Sequence, residues 1–371
     1  MTNLILHLGA HKTGTTTIQR ALYESRARLK ESGYVYPILN EVRRWESHHS
    51  LQALVKPHHK IAPFWRDNRG PMGLMQSTVS NFREILKNTD SHTMVLSSEI
   101  LANGKYFYYL AYWLRKEFSD IKPIFYLREN ASHYRAFLQQ SLKVGVFPKQ
   151  PRFFDAKLDR IRLLLGVDVE VRPYIERLDD PNWNLLDDFW EYGLGLPLDT
   201  LVRPDRDLNF ADPAELSLIL ALTTKYYTVP KDNFFKQGML ASDLRLTSFG
   251  WLRNELLSKI RNQNIATRRF DFSAKTKAKI KRIADQMSKI HSHNPQALRS
   301  RQDFGHFKEL DVFQNVDEMT ADVSWDKDLS IYLLSAVQEK VKRELTTSSD
   351  VSLFRSLERP IDFALQELYS K

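Results

Sequence analysis

The N-terminal run Leu4-Ile-Leu-His-Leu8 constrains this 371-residue chain more than any other stretch. It is an apolar segment of strand length, and it leads into a short loop holding Gly9, Lys12 and Gly14. The hydroxyl residues Thr15, Thr16 and Thr17 then open a stretch whose spacing predicts a helix over Ile18–Leu29. A buried strand, a glycine-containing turn and a helix N-terminus bring unpaired backbone N–H groups and the positive end of the helix dipole to one point. Lys12 adds a point charge there and the threonines add donors. The segment reads as a phosphate cradle.

The order of its residues narrows the kind of cradle. A Walker loop needs G-x-x-x-x-G-K-[ST], with Lys after the second Gly. Lys12 precedes Gly14, so that frame fails. The order Lys12-Thr13-Gly14-Thr15-Thr16 instead resembles the 5′-phosphosulfate loop of sulfotransferases that use 3′-phosphoadenylyl sulfate. The longer run His11-Lys-Thr-Gly-Thr-Thr-Thr-Ile-Gln19 is similar to the K-T-G-T-T-x-[LI]-Q string of the bacterial branch.

Strand and helix signals alternate through the first two hundred residues. Strands are expected at Tyr34–Pro37, Thr93–Ser97, Pro123–Leu127 and Val167–Val171. Helices are expected at Ser47–Leu54, Met75–Leu86, Tyr109–Phe118, Ser132–Val144, Phe154–Leu165 and Leu185–Tyr192. Residues 57–73, rich in Pro, His, Gly and basic side chains, read as a loop or lid. The alternation predicts an α/β fold, a parallel sheet flanked by helices, with functional groups at the carboxyl ends of the strands. Beyond residue 200 the strand signals fade and helices are expected over Ala211–Tyr227, Trp251–Gln263, Ser273–Ile290, Leu329–Leu345 and Ile361–Tyr369. The expected organisation is a core over residues 1–200 and a helical C-terminal extension over 201–371, packed together as one domain. The basic side chains Lys275, Lys277, Lys281, Arg282 and Lys289 fall largely on the outer face of the third of these helices and read as a solvated face.

A donor with a 3′-phosphate needs a second anion site. Arg128, at the end of a hydrophobic strand and just before a helix, suits one, because a guanidinium grips phosphate bidentately. The resemblance implies an Arg in this place with a Ser eight residues later. The eighth residue here is Ala136, for which Ser132, one turn earlier, or a neighbouring backbone N–H would substitute; the alternative role for Ser132 is an N-cap. Gln140, Lys143 and Gly145 keep the bacterial Q-x-x-K-x-G pattern. The strings Val169-Glu-Val-Arg-Pro-Tyr174, Asn184-Leu-Leu-Asp-Asp-Phe189 and Arg206-Asp-Leu-Asn209 carry the similarity to about residue 225.

The resemblance implies a P-loop NTPase-like sulfotransferase fold, with 3′-phosphoadenylyl sulfate (PAPS) as donor and 3′,5′-ADP (PAP) as product. The reaction would move a sulfuryl group to a hydroxyl or amine, on a carbohydrate or glycolipid. In that reading Lys12, Thr13, Gly14, Thr15, Thr16 and Thr17 hold the 5′-phosphate, Arg128 and Ser132 hold the 3′-phosphate, and Lys12 also serves catalysis. The acceptor base is His48, in the string His48-His49-Ser50-Leu51, or Glu99 at the end of an expected strand. Trp65, Phe107, Tyr108 and Tyr109 are aromatic candidates for an acceptor site, or core residues. No His, Asp or Glu cluster has metal-ligand spacing, and no metal is expected. A nucleotide kinase-like enzyme and a non-catalytic polyanion-binding protein are the alternatives.

Composition adds boundaries. The chain has no cysteine, which excludes disulfides, thiolate metal sites and cysteine nucleophiles. A net charge of +9 favours polyanionic partners, whether nucleotides, acidic glycans, nucleic acid or anionic lipid, without choosing among them; the resemblance implies a nucleotide donor and a saccharide acceptor, and no nucleic acid. No apolar run reaches the length of a membrane span, and the cradle strand starts almost at Met1, so neither stable membrane insertion nor a cleaved signal is expected and the cytoplasm is the expected location.

Overall fold

The computed structural model describes residues 2–9, 12–39, 48, 51, 80–99, 101, 107–176, 179–204, 212–227, 241–293, 310–348 and 351–370. The expected loop at 57–73, the string Arg206–Asn209, Trp65, and all of the expected helix 47–54 except His48 and Leu51 lie outside them. Along the chain run β1 (Asn3–His7), α1 (Thr15–Glu24), α2 (Arg26–Glu31), β2 (Tyr34–Val35), a helical segment α3 over residues 80–88, β3 (Thr93–Ser97) and α4 (Phe107–Glu117). Then come β4 (Ile121–Arg128), α5 (Asn130–Leu142), α6 (Asp155–Leu165), β5 (Glu170–Tyr174) and α7 (Leu185–Asp188), which continues as a π-helical turn to Leu194. Helices α8 (Ala214–Tyr226), α9 (Ala241–Asn262), α10 (Ala274–His293), α11 (Val316–Asp322), α12 (Lys327–Thr347) and α13 (Ser352–Ser370) complete it. None of the described helices is long and apolar enough to cross a membrane.

The chain divides into two units, residues 1–129 with 153–210 and residues 130–152 with 211–371. The first is α/β: five parallel strands in the order β2-β3-β1-β4-β5, flanked by helices. Strand β1 is central, pairing Leu6 with Leu96 of β3 on one side and with Pro123 of β4 on the other. Its residues alternate between two cores. Leu4, Leu6 and Leu8 join Met94, Leu96 and Phe125 beneath α4 and α6, while Ile5 joins Val95, Ile124 and Tyr126 beneath α1 and α7.

The helix expected over Ile18–Leu29 is two helices. Buried Ser25 breaks it, its hydroxyl accepting the N–H of Val202 at 2.7 Å. The strand expected at Val167–Val171 lies three residues further on. As the edge strand it alternates half-buried and exposed residues, so the apolar signal sits before it rather than on it.

In that edge strand Arg172 donates to both oxygens of Asp188, from Nε at 2.6 Å and Nη2 at 2.5 Å, while the Tyr126 hydroxyl donates to Oδ1 at 2.5 Å. Burial and the adjacent carboxylate push the Tyr126 phenol far above its ordinary range. This triad ties β4, β5 and α7 together.

The second unit is helical. Ten consecutive residues of α8, Ala214 to Thr223, are buried, and the helix packs against α5, α9, α11, α12 and α13. Buried Glu215 is satisfied by the N–H groups of Arg268 and Asp326. Segment 130–152, which sequence assigns to the core, is grouped with this unit: Tyr134 of α5 stacks on Phe272, and Arg135 pairs with Asp271.

Asp188→Ala strands both a buried phenol and a guanidinium, and is expected to destabilise the protein by about 3 kcal/mol in urea denaturation. Tyr126→Phe, which removes one donor and leaves the ion pair, should cost about 1 kcal/mol.

Candidate anion-binding site

Strand β1 lies between β3 and β4, and the chain passes from one side of β1 to the other between those two strands, which makes the carboxyl end of β1 the place where such a sheet puts a ligand site. The loop after β1 is shaped for an anion. Lys12 and Gly14 have φ of 69° and 73°, with Thr13 between them at negative φ. Such alternation turns successive N–H groups toward one concavity. Lys12 is one of two non-glycine residues at positive φ among those described, a strain of order 1 kcal/mol. Gly14 is obligatory twice over: besides its φ, a Cβ there would stand 2.1 Å from Leu185 Cδ2.

Gly14 is the N-cap of α1 and, being glycine, brings no side chain of its own to this end of the helix. Its first turn holds Thr15, buried, with Thr16 exposed and Thr17 half-buried. Thr13 is fully buried. The Thr15 hydroxyl is buried with no partner among the described residues. A helix start whose N-cap is glycine, with such a hydroxyl beside it, fits an anion of the phosphate type.

Arg128 ends β4 beside this loop. Its Nη1 donates to the Lys12 carbonyl at 2.9 Å, Nε and Nη2 donate to Glu176, and the guanidinium lies 5.1 Å from the Tyr174 ring centroid. The structure thus brings Lys12, Thr13–Thr17 and Arg128 together, and adds Glu176, which sequence reasoning missed. Ser132 is the third residue of α5, inside the helix rather than its cap, and half-buried. Of the bacterial-pattern residues, Lys143 is held 3.5 Å from Asp212. Gln140 is exposed, whereas its neighbour Gln139 is buried and donates to the Asp212 carbonyl and Ser217. Gly145, at φ 66°, leaves no room for a Cβ against the Phe249 ring.

The residues packed at the carboxyl ends of β1 and β3 are polar. Ser97, at the end of β3, is buried; its carbonyl accepts from Gln19 at 3.3 Å, and its hydroxyl lies 2.8 Å from His7 Nδ1. Its N–H donates to His48 Nδ1 at 2.8 Å, and His48 Nε2 is 2.8 Å from the Pro37 carbonyl, to which it donates. Strand β2 pairs with β3 only at Thr93 and Met94, so the His48 imidazole completes the hydrogen bonding of β3 where β2 has ended. His48 is 2% exposed and packs edge-on to Tyr36, with both nitrogens engaged. A neutral imidazole in that state has no lone pair left to take a proton. Glu99, half-buried just beyond β3, is close enough for its charge to act on His7.

His7 is fully buried between Tyr126 and Phe189. Burial lowers its pKa to about 4, against the opposing pull of Glu99, so it is neutral near pH 7. The one available signal for it was a histidine inside an otherwise apolar strand. Among the described residues no three His, Asp or Glu side chains converge as a metal site requires. No family model, curated protein or solved structure matches this chain.

Between pH 6.5 and about 4 the unfolded chain takes up a proton at His7 that the folded chain refuses. Stability therefore rises with pH through this window and is lost as pH falls, by about 3 kcal/mol for this group. Urea denaturation of wild type and His7→Gln at pH 4 to 7.5 should show the variant losing that part of the slope.

Proposed function

We propose that this protein is a sulfotransferase of the P-loop type, moving a sulfuryl group from PAPS to a hydroxyl or amine on a saccharide or glycolipid acceptor. The observation that carries the reading is the hydrogen bond from Arg128 Nη1 to the Lys12 carbonyl, which sets a phosphate-gripping guanidinium on the rim of the loop at the β1–α1 turn. A donor with both a 5′-phosphosulfate and a 3′-phosphate asks for two adjoining anion sites of this kind. The glycine N-cap of α1, the buried Thr15 hydroxyl and the left-handed Lys12 support the same reading.

In the proposed reaction the acceptor oxygen bonds to sulfur while the bond from sulfur to the 5′-phosphate oxygen breaks, leaving its electron pair on the phosphate. Charge thus develops on that oxygen, where Lys12 and the N-terminus of α1 stabilise it without reorganising. The acceptor's proton goes to the Glu99 carboxylate. Glu99 is preferred to His48 because both His48 nitrogens are hydrogen-bonded within the fold. For Arg128 to hold a 3′-phosphate, Glu176 has to yield its place on the guanidinium.

Transfer of labelled sulfate from PAPS to a panel of saccharides, read by mass spectrometry, tests the activity directly; transfer of phosphate from ATP instead would replace this reading by the kinase one. Lys12→Ala should lower turnover by ~10²-fold or more with the fold retained, and turnover should survive EDTA.

Titration should show 3′,5′-ADP bound roughly ten- to a hundredfold more tightly than 5′-AMP, with Arg128→Ala abolishing the difference. Equal affinities in the wild type would remove Arg128 from the site.

Glu99→Gln should depress turnover strongly and leave 3′,5′-ADP affinity nearly unchanged. His48→Ala should instead cost about 2 kcal/mol of stability, because Ser97 N–H and the Pro37 carbonyl lose their partner. The reverse ranking in turnover, measured on folded protein, would return the base to His48.

A further inference from the structure

The Ser97 hydroxyl is buried, and among the described residues its one partner is His7 Nδ1. A buried hydroxyl proton needs an acceptor, so Ser97 donates and Nδ1 accepts. In a neutral imidazole the remaining proton then sits on Nε2. That Nε2–H is buried and has no partner among the described residues. Where it points is marked by Gly9: a Cβ there would stand 3.3 Å from His7 Nε2 and 2.2 Å from Thr15 Oγ1. Two buried polar atoms with no partner among the described residues, one from β1 and one from the first turn of α1, therefore lie beside Gly9 at the start of α1. A side chain at position 9 would collide with the Thr15 hydroxyl, so glycine there is what lets both polar atoms approach the loop backbone. A fully buried donor without an acceptor is costly, and its retention asks for an acceptor.

We infer that His7 is a ligand-binding residue of the cradle: its Nε2–H donates, alongside the Thr15 hydroxyl, to an oxygen of the phosphate-type anion held at the N-terminus of α1. The inference rests on the anion-binding reading of the loop but not on the identity of the donor. A neutral donor adds a directed hydrogen bond to an anion already served by Lys12, without a further positive charge that would need its own compensation in a buried place. Ser97 acts through His7 as a positioning residue, since its hydroxyl selects the tautomer that turns the N–H toward the cradle.

Two substitutions separate this role from a packing role. His7→Asn keeps an amide where the Nδ1 edge meets Ser97 but has nothing at the Nε2 position. His7→Gln reaches the Nε2 position with an N–H. Calorimetric titration with inorganic pyrophosphate and with 3′,5′-ADP should show the Asn variant roughly tenfold or more weaker than wild type and the Gln variant within about threefold. Asn binding as tightly as wild type, or both variants weakened equally, overturns the inference. The wild type labelled with ¹⁵N-histidine supplies a readout independent of folding in the variants: pyrophosphate should shift the Nε2 resonance of His7 more than its Nδ1 resonance, and an unmoved Nε2 resonance refutes the contact. Wild type that binds pyrophosphate but does not prefer 3′,5′-ADP defeats the sulfotransferase reading and leaves His7 to be judged on pyrophosphate. No binding of either anion defeats both.

Discussion

The first unit depends on the pairing of β1 with two parallel neighbours at once. A strand hydrogen-bonded on both edges and buried on both faces has no freedom of register, since a slip of one residue would exchange the Leu4-Leu6-Leu8 and Ile5-His7 faces between two different cores. The loop from Gly9 to Gly14 leaves such a strand from a rigid origin. It can therefore hold Lys12 and Gly14 in left-handed conformations, which a mobile segment would relax. Packing of α1 on the Ile5 face, through Ile18, Ala21 and Leu22, secures the far end of the loop.

A polar layer lies between the hydrophobic cores and the carboxyl ends of β1 and β3. Ser97 spends its N–H on His48, its carbonyl on Gln19 and its hydroxyl on His7. Each of these contacts joins residues at least 49 positions apart. The layer decides chemistry as well as stability: it consumes the nitrogens of one histidine and orients the other. His48, which sequence context offers as a base, becomes a structural link, while His7, which sequence context hides in a strand, keeps an Nε2 with no partner among the described residues.

In the second unit the governing constraint is the near-total burial of α8. Such a helix has no polar face on which to put Glu215, so its carboxylate is met by backbone N–H groups from two separate segments. Buried Asp212 is likewise surrounded, by Arg253 and Lys143. Burial lowers the Lys143 pKa and the Asp212 charge opposes it, so this lysine of the sequence pattern is explained by an ion pair within the helical unit.

Much of the architecture was legible from the sequence because it follows from local periodicity. The buried β1, the glycine turn, the hydroxyl-rich start of α1, the alternation that makes a parallel sheet and the all-helical C-terminal half are all statements about near neighbours. The proposed anion-binding loop belongs with them, since its Gly, Lys and Thr residues lie within one continuous stretch. Tertiary structure alone decided what depends on residues distant in sequence. The break at Ser25 comes from Val202, and the edge strand displaced onto Glu170–Tyr174 is held by Asp188. Arg128 is brought to Lys12 across 116 positions, and His48 is taken out of solvent by Ser97 and Pro37. A side chain's residue type sets what it can donate or accept; whether that capacity is still available for chemistry depends on what the fold has already placed beside it.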